Sequence, residues 1–241
     1  MHVKVRTQEE LDAALARGDV AVLCAGEFEV VAKGEDAPCI IVMGKEARLY
    51  LIAAGDSRPL IDARGDSCPF VEAKGNSEPY VVAMGESIPK IKAYDDSRPR
   101  VEAWGHSRPY VESLGGSRPH IMACENSAPD IESWGNAHPY IECWERSAPY
   151  IESMGRNKPH VEAWGESSPL IKSMHDSAPS VVVWEDSRPW IDAWDRSKPH
   201  IDIRGSNAPK IRTFNESKPH VESWGRPHDG APEPRQEAPG G

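Results

Sequence analysis

From Pro59 onward the chain alternates two kinds of side chain without a break. In the decapeptide Pro99 to Arg108 the odd places hold Pro99, Val101, Ala103, Gly105 and Ser107, and the even places hold Arg100, Glu102, Trp104, His106 and Arg108. Successive side chains on extended backbone point to opposite faces, so a period of two sends one set inward and the other outward. The third place is Ile or Val in every unit from Ile61 to Val221, as a buried β-branched position should be. Gly and Ser near the unit's end, then an X-Pro step that keeps its first residue out of the helical region, predict a corner. The proline recurs at every tenth position from Pro59 to Pro219, seventeen times with no insertion or deletion. A fixed short period of this kind predicts a solenoid in which each unit buries its apolar edge against its neighbours.

Sorting alternate units into two sets reveals a longer period. In the first set the second place reads Leu60, Tyr80, Arg100, His120, Tyr140, His160, Ser180, His200 and His220; in the other it reads Phe70, Lys90, Tyr110, Asp130, Tyr150, Leu170, Trp190 and Lys210, with no histidine. At the fourth place the apolar exceptions (Val82, Met122, Val182) fall in the first set and the basic ones (Lys92, Lys172, Arg212) in the second. The split predicts two units per coil and two unlike faces. A narrow coil of ten residues is the competing geometry. Twenty-residue coils stacked at about 4.8 Å give a rod of about 45 Å, and ten-residue coils roughly double that.

The first 26 residues follow another pattern. Thr7 with Glu10 three residues on has the form of a capping box, Leu11, Ala14 and Leu15 lie at helical spacing, and Gly18 suits a C-terminal stop. They predict a short helix over about 8–17 leading into the strand-like Val20 to Leu23. Residues 27–58 read as degenerate coils, 59–225 as the regular decapeptide solenoid, and 226–241, rich in Pro, Gly and Glu, as a disordered tail. Composition agrees with a thin core, since hydrophobic residues make up only 39% and phenylalanine occurs three times. A net charge of −10 argues against a nucleic-acid backbone as partner, although an acidic rod can mimic nucleic acid toward a basic protein. The five cysteines (Cys24, Cys39, Cys68, Cys124, Cys143) form neither a disulfide framework nor CxxC metal spacing, and read as substituted small residues in a reducing compartment. With no signal peptide and no apolar run long enough for a bilayer, the expectation is a cytoplasmic chain without membrane contact, or one exported without an N-terminal signal.

Two resemblances follow from these residues. The segment VRTQEELDAALARGDVAVLCAGEFEV, within residues 3–30, is similar to the start of right-handed parallel β-helix proteins, in which a capping helix shields the first coil. The repeats themselves resemble the short-repeat solenoids of the ice-nucleation type through Ala103-Trp104-Gly105 with Ser107, and Ala93-Tyr94 with Ser97. The unit here is ten residues rather than eight, and Thr213 is the only threonine in the regular region, so the resemblance implies the fold and not water-ordering Thr files. The fold class expected is all-β: a parallel β-solenoid, right-handed, two ten-residue units per coil, with a short N-terminal capping helix.

Four outward files run along the first set's face. A basic corner (Arg98, Arg118, His138, Lys158, Lys198, Lys218) borders a His/Tyr file (Tyr80, His120, Tyr140, His160, His200, His220). A carboxylate file (Glu102, Glu142, Glu162, Asp202, Glu222) and a Trp file (Trp104, Trp144, Trp164, Trp184, Trp224) follow. Exposed aromatics beside hydrogen-bonding groups could stack on sugar rings or on a protein partner; equally, aromatics on successive strands can stack on one another and hold the sheet. Like charges in the carboxylate file should cost stability unless the basic corner compensates. His with Glu two residues on is common on any strand, and no metal or cofactor is expected. There is no GxSxG, HExxH or P-loop, and units without insertions offer no loop to wall a cleft. The expectation is a non-catalytic rod presenting a regular lattice to a protein partner or to its own copies, with saccharide binding, and less so ice, as the alternative.

Overall fold

The computed structural model describes residues 1–205 and 208–224; the tail expected over 226–241 lies outside them, as does Gly225. The chain is a parallel β-solenoid. It opens with a strand at His2–Val5 and a helix, α1, at Gln8–Ala16, and every later element among the described residues is a strand. Among the described residues one sheet has twelve strands and the other ten; chain order alternates between them, and all neighbours pair in parallel. Register decides the size of the coil. Val101 pairs with Ile121 and Val111 with Ile131, so each coil of the regular region takes twenty residues and the narrow ten-residue coil is excluded. The first set of units builds the twelve-stranded sheet and the second set the ten-stranded one. Eleven spacings of about 4.8 Å make the first sheet roughly 50 Å long.

Each strand of the regular region shows the burial pattern its alternation dictates. In Arg100–Ala103, Val101 and Ala103 are fully buried and Glu102 faces out. The third-place Ile and Val residues from Ile61 to Ile201 lie in one continuous core with no exposed surface. Burial of each such side chain contributes about 1.5–3 kcal/mol, summed along the rod as nearest-neighbour terms.

The ladder does not stop where the strand does. Arg118 N donates to Ser97 O (2.9 Å), His120 N to Pro99 O (2.9 Å) and Trp144 N to Ala123 O (2.8 Å). The tenth residue of one unit therefore leads directly into the next unit's strand, which puts the basic corner beside the His/Tyr file.

Strict alternation would place the seventh residue, usually Gly, inside. It is instead the corner. A four-residue turn closes from Ser107 N to Trp104 O (3.3 Å), with Gly105 at φ +68°. A left-handed backbone suits glycine because no Cβ meets the following carbonyl. Seven units nevertheless carry another residue there, among them Glu145 (φ 56°), Glu185 (φ 51°) and Asp195 (φ 57°). Some recover the cost through the next contact along the axis: Glu185 Oε2 accepts from Gly165 N (3.0 Å) and Asp95 Oδ2 from Gly75 N (3.2 Å).

The N-terminal helix forms as its sequence predicts, with one difference. Thr7 Oγ1 accepts from Glu10 N (3.2 Å), but the Glu10 carboxylate reaches back to Arg6 N (2.7 Å) rather than to Thr7. Leu11 and Ala14 are buried in the same core as Val5 and Phe28. Gln8 bonds both the N–H and the C=O of Glu29 (2.9 and 2.8 Å). Glu29 lies on Gly26–Ala32, the first strand of the ten-stranded sheet, so part of an otherwise unpaired edge is satisfied.

Candidate functional site

The Trp file of the first sheet is a stack. Trp144 and Trp164 lie 5.1 Å apart at 7°, and Trp164 and Trp184 lie 4.4 Å apart at 8°. Trp164 is only 5% exposed, its two ring faces covered by its neighbours. Below Trp184 the stack ends on a cation, with the Arg204 guanidinium 4.8 Å from the ring. Trp104 stands apart, because the file places Met84 and Cys124 on either side of it. Trp224 is 69% exposed.

The indole N–H groups are committed as well. Trp104 Nε1 donates to Glu102 Oε2 (3.4 Å), Trp144 Nε1 to Glu142 Oε2 (3.1 Å) and Trp164 Nε1 to Glu162 Oε2 (3.2 Å). The carboxylate two residues before each indole lies on the same outward face, so the spacing itself supplies the acceptor. Trp184 tests the rule. Val182 stands where the carboxylate would be, and the buried Trp184 Nε1 has no partner.

The His/Tyr file meets the same carboxylates from the other side. Tyr140 lies between His120 (5.0 Å, 61°) and His160 (5.2 Å, 5°). His120 Nε2 is 2.8 Å from Glu142 Oε1 and His160 Nε2 is 3.2 Å from Glu162 Oε1. The His160 bond, aided by Tyr140 and Trp164, holds the Glu162 carboxyl below the usual carboxylate range against the opposing effect of burial. Burial, with Glu102 beside it, pushes the Tyr80 hydroxyl up to about 12, and Arg100 lies over its ring at 5.3 Å. His200 and His220 stack at 5.2 Å, with Glu222 Oε1 2.9 Å from His220 Nε2.

One expectation fails. Among the described residues no member of the basic corner forms an ion pair with the carboxylate file. Indole N–H groups, imidazoles and the guanidiniums of Arg100 and Arg204 take that part from the same or the neighbouring coil, while the corner residues are exposed.

The second sheet, outside the four files read from the sequence, carries the same chemistry in shorter runs. Trp194 and Phe214 stack at 3.7 Å and Tyr50 and Phe70 at 5.2 Å. Trp190 Nε1 donates to Asp192 Oδ1 (2.7 Å), beneath the Lys210 and Arg212 cations at 3.8 and 4.6 Å. Arg212 holds the Asp192 carboxyl below its usual range. The aromatic-x-acid and acid-x-aromatic pairs that make these contacts were present in the second set too.

A polar seam inside the rod was also missed. Ser113 Oγ and Ser117 Oγ are 2.8 Å apart, Ser173 Oγ and Ser177 Oγ 2.7 Å, and between them Asn157 bonds Ser153, Ser133 O and Met154 O.

No family model, curated protein or solved structure matches this chain. Fold and site define its class as a short-repeat parallel β-solenoid. No helix among the described residues is long and apolar enough to cross a membrane.

Proposed function

We propose that the chain is a non-catalytic structural rod whose outward lattice engages a protein partner or further copies of itself. The observation that carries this reading is that the middle of the aromatic file, Trp144 to Trp184, is stacked along its own axis. Sugar recognition by aromatics uses ring faces and neighbouring donors; here the faces of Trp164 are covered by Trp144 and Trp184, and the indole N–H groups of Trp144 and Trp164 go to Glu142 and Glu162. That geometry supports the sheet-stabilising role over the saccharide alternative. A non-catalytic role is supported by the ten-residue unit, which runs from Pro59 to Pro219 without an insertion, so that among the described residues no added loop walls in a pair of acids.

The test combines two measurements. Light scattering of the full chain should give a particle mass that is a multiple of 26.6 kDa for a self-associating rod, while an immobilised glycan panel should stay silent. A saturable glycan signal that disappears in Trp144→Ala/Trp164→Ala would overturn the reading in favour of saccharide binding.

A further inference from the structure

The second-place file of the first sheet interleaves its histidines with other residues until the final coils. His120 and His160 are separated by Tyr140, and His160 and His200 by Ser180, which sets those imidazoles two coils, roughly 9.6 Å, apart. One ion cannot bridge that distance. Among the described residues, at one place only does the register bring two histidines together, where His200 pairs with His220 on neighbouring strands. Their rings lie nearly parallel, with centroids 5.2 Å apart at 15°. Glu222 is on the same face, two residues after His220, and one ligand atom from each of the three residues lies within 4.8 Å of the others.

We propose that His200, His220 and Glu222 form a binding site for a borderline divalent transition-metal ion of the zinc class. Two imidazoles and one carboxylate are the donor set that zinc, copper and nickel prefer, whereas calcium and magnesium select oxygen ligands. Zinc bonds nitrogen at about 2.0–2.1 Å and keeps four ligands, so the three groups close by about an ångström through rotation of their side chains. Both histidines are exposed, which leaves them free to turn without moving backbone. Water fills the fourth position, as in sites with three protein ligands. His220 then gives up its hydrogen bond to Glu222, the proton moving to Nδ1 so that Nε2 presents its lone pair. Nearby charge is mixed: Asp202 is engaged by Arg204 (2.8 Å), and Lys198 and Lys218 stand exposed at the corners before the two strands.

The ion would tie the terminal strand to the one before it. His220–Ser223 is the end strand of its sheet among the described residues, and Val221 is 45% exposed there, so the last coil is the least secured. Metal that binds only the folded arrangement stabilises it by mass action.

The test is isothermal titration of ZnCl2 into the tag-free full chain after chelator treatment. One zinc should bind per chain, and His200→Ala and His220→Ala should each weaken binding at least tenfold. His160→Ala, which lacks an adjacent imidazole, should bind as the parent does. Hydrogen exchange at residues 220–223 should slow with zinc in the parent but not in His220→Ala. If an alanine variant loses its β-sheet circular dichroism, His200→Gln and His220→Gln replace it. Absence of zinc binding by the parent, or binding equal in parent and both variants, would overturn the proposal.

Discussion

Replacing Trp164 by alanine isolates what the aromatic file contributes. The indole is 5% exposed, its two neighbours lie at 5.1 and 4.4 Å, and its N–H is bonded to Glu162. Two stacked pairs are worth about 0.5–1.5 kcal/mol each beyond area burial, and loss of a buried Trp costs about 3–5 kcal/mol in a closed core. Here Trp144 and Trp184 can settle toward the gap, so the expected loss is about 3 kcal/mol, near the lower end. Trp104→Ala removes a half-buried indole with no ring neighbour and should cost about 1 kcal/mol, while Trp224→Ala should stay within about 0.5 kcal/mol. Urea denaturation read from the midpoint at constant slope gives the three values. The stacked indoles should also show exciton coupling in the circular dichroism, lost in Trp164→Ala and kept in Trp104→Ala. A cost for Trp104→Ala equal to or above that for Trp164→Ala would refute the claim that ring-to-ring stacking, rather than burial alone, holds this face.

Three further outcomes follow from other contacts. Glu145→Gly relieves a left-handed backbone (φ 56°) and should raise stability by about 1 kcal/mol, whereas Glu185→Gly should gain less because it loses the acceptor for Gly165 N; thermal unfolding of the pair measures the difference. Burial first, then Glu132 and Glu152, raises the Asp130 carboxyl above its usual range, so its charge opposes folding at neutral pH and the penalty fades as pH falls toward the unfolded carboxylate value. Asp130→Asn should therefore stabilise at neutral pH and give no gain near about pH 4, and equal gains at both would contradict the assignment. Burial pushes the Cys124 thiol up to about 12 and the fully buried Cys143 thiol up as well, so iodoacetamide should label the exposed Cys24 and Cys68 in the native state and reach Cys124 and Cys143 only after denaturation.

The coil was legible because two independent patterns agreed. Alternation gave the strand, and the histidines confined to one set of second places gave the period of twenty, which His200 opposite His220 realises directly. The helix was legible in Thr7, Glu10 and the spacing of Leu11 and Ala14. The corner was legible in Gly, Ser and the X-Pro step, but the residue that carries the left-handed backbone was not, because alternation predicts only which way a side chain points on extended backbone. It says nothing of where φ changes sign. The clue lay in what replaces glycine at the seventh place: Asp95, Asp195, Asn215 and His175 are types that tolerate the left-handed region, although Glu125, Glu145 and Glu185 are not. The Ser/Asn seam was hidden for another reason. Serine among alanines reads as a small filler, and only the structure shows that fifth-place Ser113 and Ser173 sit opposite ninth-place Ser117 and Ser177 of the same unit.

The lattice also determines where a partner can gain purchase. Where the repeat is most regular, each outward group already has its partner along the axis: Trp164 has Trp144 and Trp184, Glu142 has His120 and Trp144, and Tyr140 has two imidazoles. A ligand arriving there would have to displace contacts worth as much as those it offers, and binding needs a surplus. Breaks in the pattern lack that internal competition. Val182 leaves Trp184 Nε1 without an acceptor, Arg204 ends the Trp stack, Trp224 stands 69% exposed, and His200 meets His220 with no ring of another kind between them. All four fall in the last coils, between residues 182 and 224. Recognition by this rod is thus expected to concentrate at its C-terminal coils, and truncation before Ser180 should abolish partner binding while the remaining coils keep their sheet signature. A truncated chain that still bound would place recognition back on the regular face.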